Sequence, residues 1–493
     1  MKFFRSIHAF LGFCLCLLMA MWFLSGFVMI YHSYPRVSRQ MILEKQLAIQ
    51  GTLASLQSLD SVLGEPESLK SLTLQMNLAS PTFLIQDQSG ERQISATHFD
   101  TVPSITSTSL DAIRHQWNAA KVLKTDTLYE VDQWTLPKKS ASVFPIYKYF
   151  FDDDMQSQLY ISSPTGKVLQ YTSRSERVWA WLGAIPHWVY FTSLRENQMV
   201  WIEFVKWTSG ISCIMLLVGM VLGIRVLYRS RKQSYHVPYR KRWYKWHYIL
   251  GLVFGVISIT FAFSGLMSLI DLPNWLKKKP SSEQASSIKT NRRALKSIKL
   301  SDYKLDYRLL VDIFENVKTI EWDMYKDSPY YRVSTDDETK LINASISEKL
   351  VPMRLSEQQI TEDIQQMHPS SNYKLELISE HDNYYFSRHI NRVPLPVYRV
   401  IISDELNTRY YYNPGTLSRQ KYDDNTKLKR FLYNGLHSLH FKFLTDRPVL
   451  WNILMYLLLI GGSILSVSGI VLSFKWAFRK INKHISKINT KQR

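Results

Sequence analysis

The chain has 493 residues, of which 46% are hydrophobic and 13% aromatic, so disorder is excluded as its main state and several domains are expected. Its formal net charge is +20 at pH 7, but almost all of the excess lies at residues 2–5, 225–245 and 475–493, beside apolar segments and without any Asp or Glu. This distribution is the positive-inside signature of a membrane protein, and it does not indicate a nucleic-acid partner.

The first apolar segment covers residues 7–31 and is nearly uncharged. About 20 apolar residues in a helix cross a hydrocarbon core of roughly 30 Å. A cleaved signal peptide is the alternative, because Lys2 and Arg5 would serve as its basic start. The apolar stretch is too long for a signal peptide and no clean cleavage site follows, so we expect a retained helix that starts in the cytoplasm.

Three further apolar runs, at residues 207–224, 247–270 and 449–474, predict four transmembrane helices in all, with the lipid bilayer as a partner and both termini cytoplasmic. The polar segments between them are expected to be α+β outer domains. The predicted order is 1–32, transmembrane helix 1; 33–185, outer domain 1; 186–224, outer histidine segment and helix 2; 225–246, basic cytoplasmic loop; 247–271, helix 3; 272–430, outer domain 2; 431–475, outer histidine segment and helix 4; and 476–493, basic cytoplasmic tail.

Local patterns predict both strands and helices in the outer domains. Residues 158–171 are predicted to form two short strands around Pro164-Thr165-Gly166. Further strands are expected at 373–379, 384–389, 397–403 and 409–412, and helices at 53–63, 109–120 and 355–367.

The sequence contains an internal repeat. Two segments share a His, a Gly four residues later and a Ser-Gly pair seventeen residues later: His8, Gly12 and Ser25-Gly26 in the first copy, and His247, Gly251 and Ser264-Gly265 in the second. His187 and His437 belong to a second pair of matching segments, 154–201 and 404–451, which lead into helices 2 and 4. Both copies start on the cytoplasmic side, so we expect parallel repeats about an axis along the membrane normal.

The repeat matches His8 with His247 at the cytoplasmic face and His187 with His437 at the outer face. An ionisable residue in a membrane segment marks function by default. Two matched histidines can approach one axis from opposite sides, as the two axial ligands of a haem iron do. No Cys-x-x-Cys-His motif is present for a c-type haem. We therefore predict two haems per chain, one at each face, ligated by these four histidines.

Four further residues are weaker candidates. Gly12 and Gly251 lie one helical turn from the inner histidines, where the absence of a side chain would let a macrocycle lie against the helix. His32 and His440 lie near the outer face but do not recur, so we expect them beside the haem or the substrate, with haem ligation as the weaker alternative. Their counterparts in the other copy are Asp271 and Tyr190.

At these residues the sequence resembles the PepSY-associated transmembrane family over essentially its whole length. The motifs that carry the resemblance are Arg5-x-x-His8-x-x-x-Gly12 with Leu24-Ser-Gly26, Trp181-Leu-Gly-Ala-Ile-Pro-His187-Trp, Trp246-His247-x-x-x-Gly251 with Phe263-Ser-Gly265, Leu395-Pro-Val-Tyr-Arg-Val400 and Gly435-Leu-His437-Ser-Leu439. The resemblance implies PepSY-like α+β domains in the periplasm of a bacterium. It also implies kinship with inner-membrane reductases that carry two b-type haems and release iron from ferric siderophores.

The leading hypothesis is a dihaem electron-transfer protein of the inner membrane, a haem-dependent reductase of ferric siderophores or other ferric chelates in the periplasm. No nucleotide-binding glycine motif occurs, so electrons would arrive from a cytoplasmic reductase or from quinol. Two alternatives stay open: a non-enzymatic sensor or peptidase regulator whose outer domains bind peptide, and a component of an iron-uptake permease. A Soret band in the purified protein would separate the first hypothesis from the other two.

The four-helix topology predicts the side of the membrane on which each segment lies. Reporter fusions at Gly90 and at Asp337 should show periplasmic activity, and a fusion at Tyr235 should show cytoplasmic activity. A cytoplasmic signal at Asp337 would contradict both the topology and the parallel repeat.

Overall fold

The computed structural model describes residues 2–63, 69–88, 90–101, 105–136, 141–232, 239–279, 298–347, 349–387 and 393–491. Four apolar helices in these ranges are long enough to cross a membrane, so the four predicted spans are confirmed. The helices are α1 (Lys2–Met29), α2 (Arg39–Lys45), α3 (Leu56–Leu63), α4 (Ser107–Trp117), α5 (Arg174–Leu182), α6 (Ala184–Trp188), α7 (Thr192–Arg195), α8 (Gln198–Lys232), α9 (Arg242–Leu269), α10 (Arg308–Ile313), α11 (Glu357–Met367), α12 (Asp424–Arg430), α13 (Leu436–Ser438), α14 (Lys442–Thr445) and α15 (Pro448–Lys491).

The strands belong to the segments between the long helices. They are β1 (Ser71–Asn77), β2 (Ser80–Gln86), β3 (Glu91–Ser95), β4 (Val122–Leu128), β5 (Ile146–Phe151), β6 (Gln158–Ser162), β7 (Val168–Thr172), β8 (Thr319–Tyr325), β9 (Ser328–Ser334), β10 (Thr339–Asn343), β11 (Tyr373–Ile378), β12 (Val397–Ile402), β13 (Arg409–Tyr412) and β14 (Arg419–Tyr422). We call the end of the bundle at which α1 and α9 begin the basic end, and the opposite end, which joins the sheets, the domain end.

Two of the long helices extend farther than the sequence predicted. Helix α8 continues to Lys232 and α15 to Lys491, through residues expected in a loop and a tail. Both extensions lack Pro and are rich in Lys and Arg, which are good helix formers. Helix α15 has 44 residues. It therefore rises about 66 Å, well beyond a hydrocarbon core of roughly 30 Å. Residues 233–238 lie outside the described part of the chain.

The four long helices pack through close contacts between aromatic rings and glycines. Phe23 of α1 is 4% exposed and packs in a cluster with Met215 of α8 and Leu459 of α15. A Cβ atom on Gly462 of α15 would collide with the Phe23 ring, so only glycine lets the two helices approach this closely.

The two outer segments share one sheet, which corrects the prediction of separate domains at 33–185 and 272–430. The sheet has six antiparallel strands in the order β10-β9-β8-β1-β2-β3. Strands β1 and β8 pair across the middle, with Thr73 opposite Glu321. Leu74 and Ile320 lie in its common core, both 0% exposed. Without this pairing, β1 and β8 would each present an unpaired edge.

Each half also carries a four-stranded antiparallel sheet, β4 to β7 and β11 to β14 in chain order, covered by α4 and α11 respectively. The strand predicted at 384–389 is wrong for its described residues, 384–387. The Asp382 carboxylate accepts the backbone N–H groups of Tyr384 and Tyr385 at 2.9 and 2.8 Å, so the chain turns there and does not join a ladder. Residues 388–392 lie outside the described part of the chain.

The pairing of β1 with β8 can be tested by a designed disulfide. In Thr73→Cys/Glu321→Cys the two Cα atoms face each other across the ladder, within the range that a disulfide spans. We expect oxidation to give the cross-linked peptide by mass spectrometry. The control Thr73→Cys/Asp323→Cys is two residues out of register and should cross-link far less. Equal yields would contradict the register.

Candidate functional site

One histidine pair lies near the basic end of the bundle. His8 of α1 and His247 of α9 face each other with ring centres 6.2 Å apart. His8 Nδ1 lies 3.0 Å from the carbonyl oxygen of Met215 in α8. A carbonyl oxygen only accepts hydrogen bonds, so Nδ1 carries the proton and Nε2 keeps its lone pair.

His247 has the same tautomer for a different reason. Its Nδ1 lies 2.8 Å from Ser468 Oγ of α15. The Ser468 hydroxyl donates its one proton to the carbonyl of Leu465 at 2.7 Å. It must therefore accept from His247, which leaves the His247 Nε2 lone pair available.

A glycine on α8 makes room for the basic-end pair. A Cβ atom on Gly219 would lie 2.5 Å from Cε1 of His8, closer than two carbon atoms can approach. Any other residue at this position would displace the His8 ring. The spacing of 250 residues that relates His187 to His437 also relates Gly219 to Gly469, where a Cβ atom would lie 3.6 Å from Cε1 of His247. Only the structure shows that these two glycines border the histidines.

The second histidine pair lies near the domain end. His187 of α6 and His437 of α13 have ring centres 5.9 Å apart. Their Nδ1 atoms lie 3.1 Å from Ser25 Oγ and 3.0 Å from Ser264 Oγ respectively. The Ser25 hydroxyl donates to the Met21 carbonyl at 2.7 Å and that of Ser264 to the Phe261 carbonyl at 3.1 Å.

Both serine hydroxyls therefore accept a hydrogen bond from the Nδ1–H of the histidine, and both histidines expose a lone pair on Nε2. Burial lowers the pKa of His187 and of His437, so both rings are neutral near pH 7. The serines belong to the Ser-Gly pairs of the repeat. In the structure they orient the histidines.

Two tryptophans hold the segments that carry the domain-end histidines. Trp201 Nε1 donates to the carbonyl of Trp188 at 2.8 Å, and Trp451 Nε1 to that of Ser438 at 2.9 Å. Each acceptor is the residue directly after a site histidine. The two indole groups thus fix the backbone directly after each histidine.

The residue that follows each acceptor has a strained backbone. Val189 has φ 54° and Leu439 has φ 49°, the left-handed region that bulky side chains rarely adopt. Such strain persists only where surrounding contacts impose it, and it concentrates at functional sites.

A cavity of about 420 Å³ lies between the two domain-end histidines and the bundle. This is a typical size for a ligand pocket. Its lining is mostly apolar and aromatic, with Arg36 as its charged residue; it includes Met19, Trp22, Phe23, Gly26, His187, Trp188, Tyr190, Phe261, Gly265, Tyr433, His437 and Trp451. Cβ atoms on Gly26 and Gly265 would lie 4.0 and 3.9 Å from Cε1 of His187 and His437, so both glycines border the histidines.

The family described as "PepSY-associated TM region" matches the chain over residues 76–477. This range covers most of the sequence and contains three of the four site histidines. The chain belongs to the PepSY-associated transmembrane family. No curated protein matches the chain.

In this PepSY-associated protein, the weaker candidates lie outside the two pairs. His32 stacks on Trp179 with ring centres 4.3 Å apart, and His440 stacks on Phe386 at 4.8 Å. Neither stack belongs to the histidine pairs.

The glycines next to the basic-end histidines pack against helix α15. A Cβ atom on Gly12 would lie 3.2 Å from Ser473 Oγ, and one on Gly251 would lie 3.9 Å from Leu465. The absence of a side chain at Gly12 therefore lets α1 pack closely on α15.

The tryptophan hydrogen bonds generate a prediction. In Trp451→Phe, the Ser438 carbonyl loses its donor, at a cost of about 1 kcal/mol in local stability. We expect amide hydrogen exchange in residues 431–441 to accelerate several-fold. The control Trp275→Phe changes a side chain that is 83% exposed and should leave this exchange unchanged. Unchanged exchange in Trp451→Phe would contradict the role of the indole.

Proposed function

We propose that this protein is a dihaem b electron-transfer protein of the bacterial inner membrane that reduces ferric chelates in the periplasm. The observation that carries the proposal is the geometry of the two histidine pairs. In each pair the ring centres lie about 6 Å apart, 6.2 and 5.9 Å, and every Nδ1 has a partner that leaves Nε2 free.

This geometry fits a metal bound between two imidazoles. Two rings that bind one ion from opposite sides, at about 2 Å each, have centres roughly 6 Å apart. No group of three or more His, Cys, Asp or Glu residues suited to a metal occurs in the described residues. Two protein ligands do not complete a coordination shell, so an ion held here needs further ligands of its own, as the iron of a haem has.

The domain-end cavity suits such a group because its lining is mostly apolar and aromatic and includes both histidines. His187 and His437 would supply the axial ligands, and the aromatic lining would surround the macrocycle. Arg36 would pair with a carboxylate at its rim, because a guanidinium binds carboxylates in two parallel hydrogen bonds. A bound haem supplies one-electron transfer between the ferric and ferrous states of its iron.

The two pairs are well separated along the bundle. Ser25 accepts the hydrogen bond from His187. It lies seventeen residues after His8 on α1, a rise of roughly 25 Å along the helix. One cofactor cannot serve both ends, so two per chain are needed to cross the bilayer.

The positive-inside rule supports a cytoplasmic basic end and a periplasmic domain end. The outer domains would then be PepSY-like periplasmic domains and the two repeats parallel. Electrons would enter at the His8–His247 end from a cytoplasmic reductase or quinol, and leave to a ferric siderophore or other ferric chelate at the His187–His437 end.

Haem stoichiometry tests the assignment. In His437→Ala and in His247→Ala we expect about half of the parental haem per chain, since each variant removes one ligand from a different pair. Haem is measured by pyridine haemochromogen absorbance of purified protein. The matched control, His32→Ala, removes a stacked histidine outside the pairs and should keep full haem content.

Ferrous-iron trapping outside the membrane gives a second measurement. His437→Ala should abolish reduction of an external ferric chelate while the remaining haem is still reduced from the cytoplasmic side. Two haems per chain in His437→Ala, or a parental rate of reduction, would contradict the assignment of the domain-end pair. A purified parent protein without a Soret band would contradict the proposed function as a whole.

A further inference from the structure

A second cavity, of about 450 Å³, lies beside the domain-end histidines. Three of its lining residues, Lys429, Arg430 and His440, carry basic side chains. The rest of the lining is Phe386, Ser387, Val393, Tyr422, Thr426, Tyr433 and Asn434.

Arg430 brings a positive charge that its neighbours do not neutralise through hydrogen bonds. Its guanidinium lies over the Phe386 ring, 4.4 Å from the centre, and donates to the carbonyls of Tyr384 and Phe386. Its Nη2 atom also lies 3.4 Å from His440 Nδ1. None of these partners carries a negative charge. The π-helical turn Phe431–Gly435 follows Arg430 directly, and such turns concentrate at functional sites.

Lys429 adds a second positive charge, and a ligand anion can replace its present ion-pair partner. It pairs with Asp271 at 2.9 Å, where the Asp271 side chain is 81% exposed. Ion pairs of this kind contribute little to stability, so a ligand anion can compete for the ammonium group.

The positive charge belongs to one half of the chain. The residues of the first half that correspond to Lys429, Arg430 and His440 are Trp179, Ala180 and Tyr190. Both halves contribute a histidine to the domain-end pair, but basic side chains occupy these three positions only in the second half. The fold that the two halves share therefore does not need basic side chains at these positions. Binding of an anionic ligand explains them better.

The second cavity adjoins the first. Tyr433 lines both cavities, and its ring centre lies 5.8 Å from that of His437. A ligand in the second cavity is therefore one aromatic ring away from a histidine of the domain-end pair.

We infer that the second cavity binds the ferric substrate, and that this substrate is an anionic, carboxylate-bearing chelate. The role of this cavity as a substrate site rests on the proposed function. The binding of an anion depends only on Lys429, Arg430 and the cavity. The two cations would hold carboxylates of the chelate, and Phe386 and Tyr433 would contact its apolar parts.

The test is equilibrium binding of gallium(III) citrate to the purified full-length protein by isothermal titration calorimetry. Gallium(III) is a redox-inert substitute for ferric iron, so binding is measured apart from electron transfer. A charged hydrogen bond contributes about 1.5–3 kcal/mol, so Arg430→Gln and Lys429→Gln should each weaken binding about tenfold or more. The control Lys374→Gln removes an exposed lysine of β11 outside the cavity lining and should not change the affinity.

A variant that is expected to strengthen binding controls for loss of affinity through misfolding. Asp271→Asn releases Lys429 from its ion pair and should strengthen citrate binding several-fold. An uncharged gallium trihydroxamate should bind alike to the parent and to Lys429→Gln. Haem content is recorded for every variant, so that failure of the haem proposal is seen separately from failure of this one. Parental citrate affinity in Arg430→Gln and Lys429→Gln, or no binding of citrate to the parent, overturns the inference.

Discussion

The structure depends on one interaction made four times, the hydrogen bond from a histidine Nδ1 to an acceptor on another helix. Each bond fixes both the orientation of the ring and its tautomer, because the acceptor atom has no proton that it could donate to Nδ1. His8 is held from α8, His247 from α15, His187 from α1 and His437 from α9. The four long helices thus position the candidate ligands jointly, and a shift of any one of them would disturb a ring.

The outer domains extend this coupling beyond the bundle. The pairing of β1 with β8 joins the two halves in a single sheet, while Trp201 and Trp451 tie the histidine segments to the first turns of α8 and α15. The strained residues Val189 and Leu439 stand between these anchors. A backbone held on both sides in this way orients His187 and His437 during folding, before anything binds.

The two halves agree closely at the domain end and differ at the basic end. Ser25 and Ser264 occupy matching positions and make matching bonds. At the basic end, His8 uses a backbone carbonyl and His247 the hydroxyl of Ser468, whose counterpart in the first half is a valine. Any acceptor that binds the Nδ1–H group gives the same tautomer. His8 and His247 therefore both expose Nε2, although the residues that hold them differ.

The sequence alone determined the four spans, the repeat and the four histidines, because apolar length and a recurring spacing are local patterns that need no contacts to be seen. It could not give the shared sheet, the extended α8 and α15, or the role of Gly219. Nor could it show that Gly12 packs against α15, or that Arg36 and His187 line one cavity. These features arise from residues far apart in the chain, and only the packing of helices and strands in three dimensions decides which side chains meet.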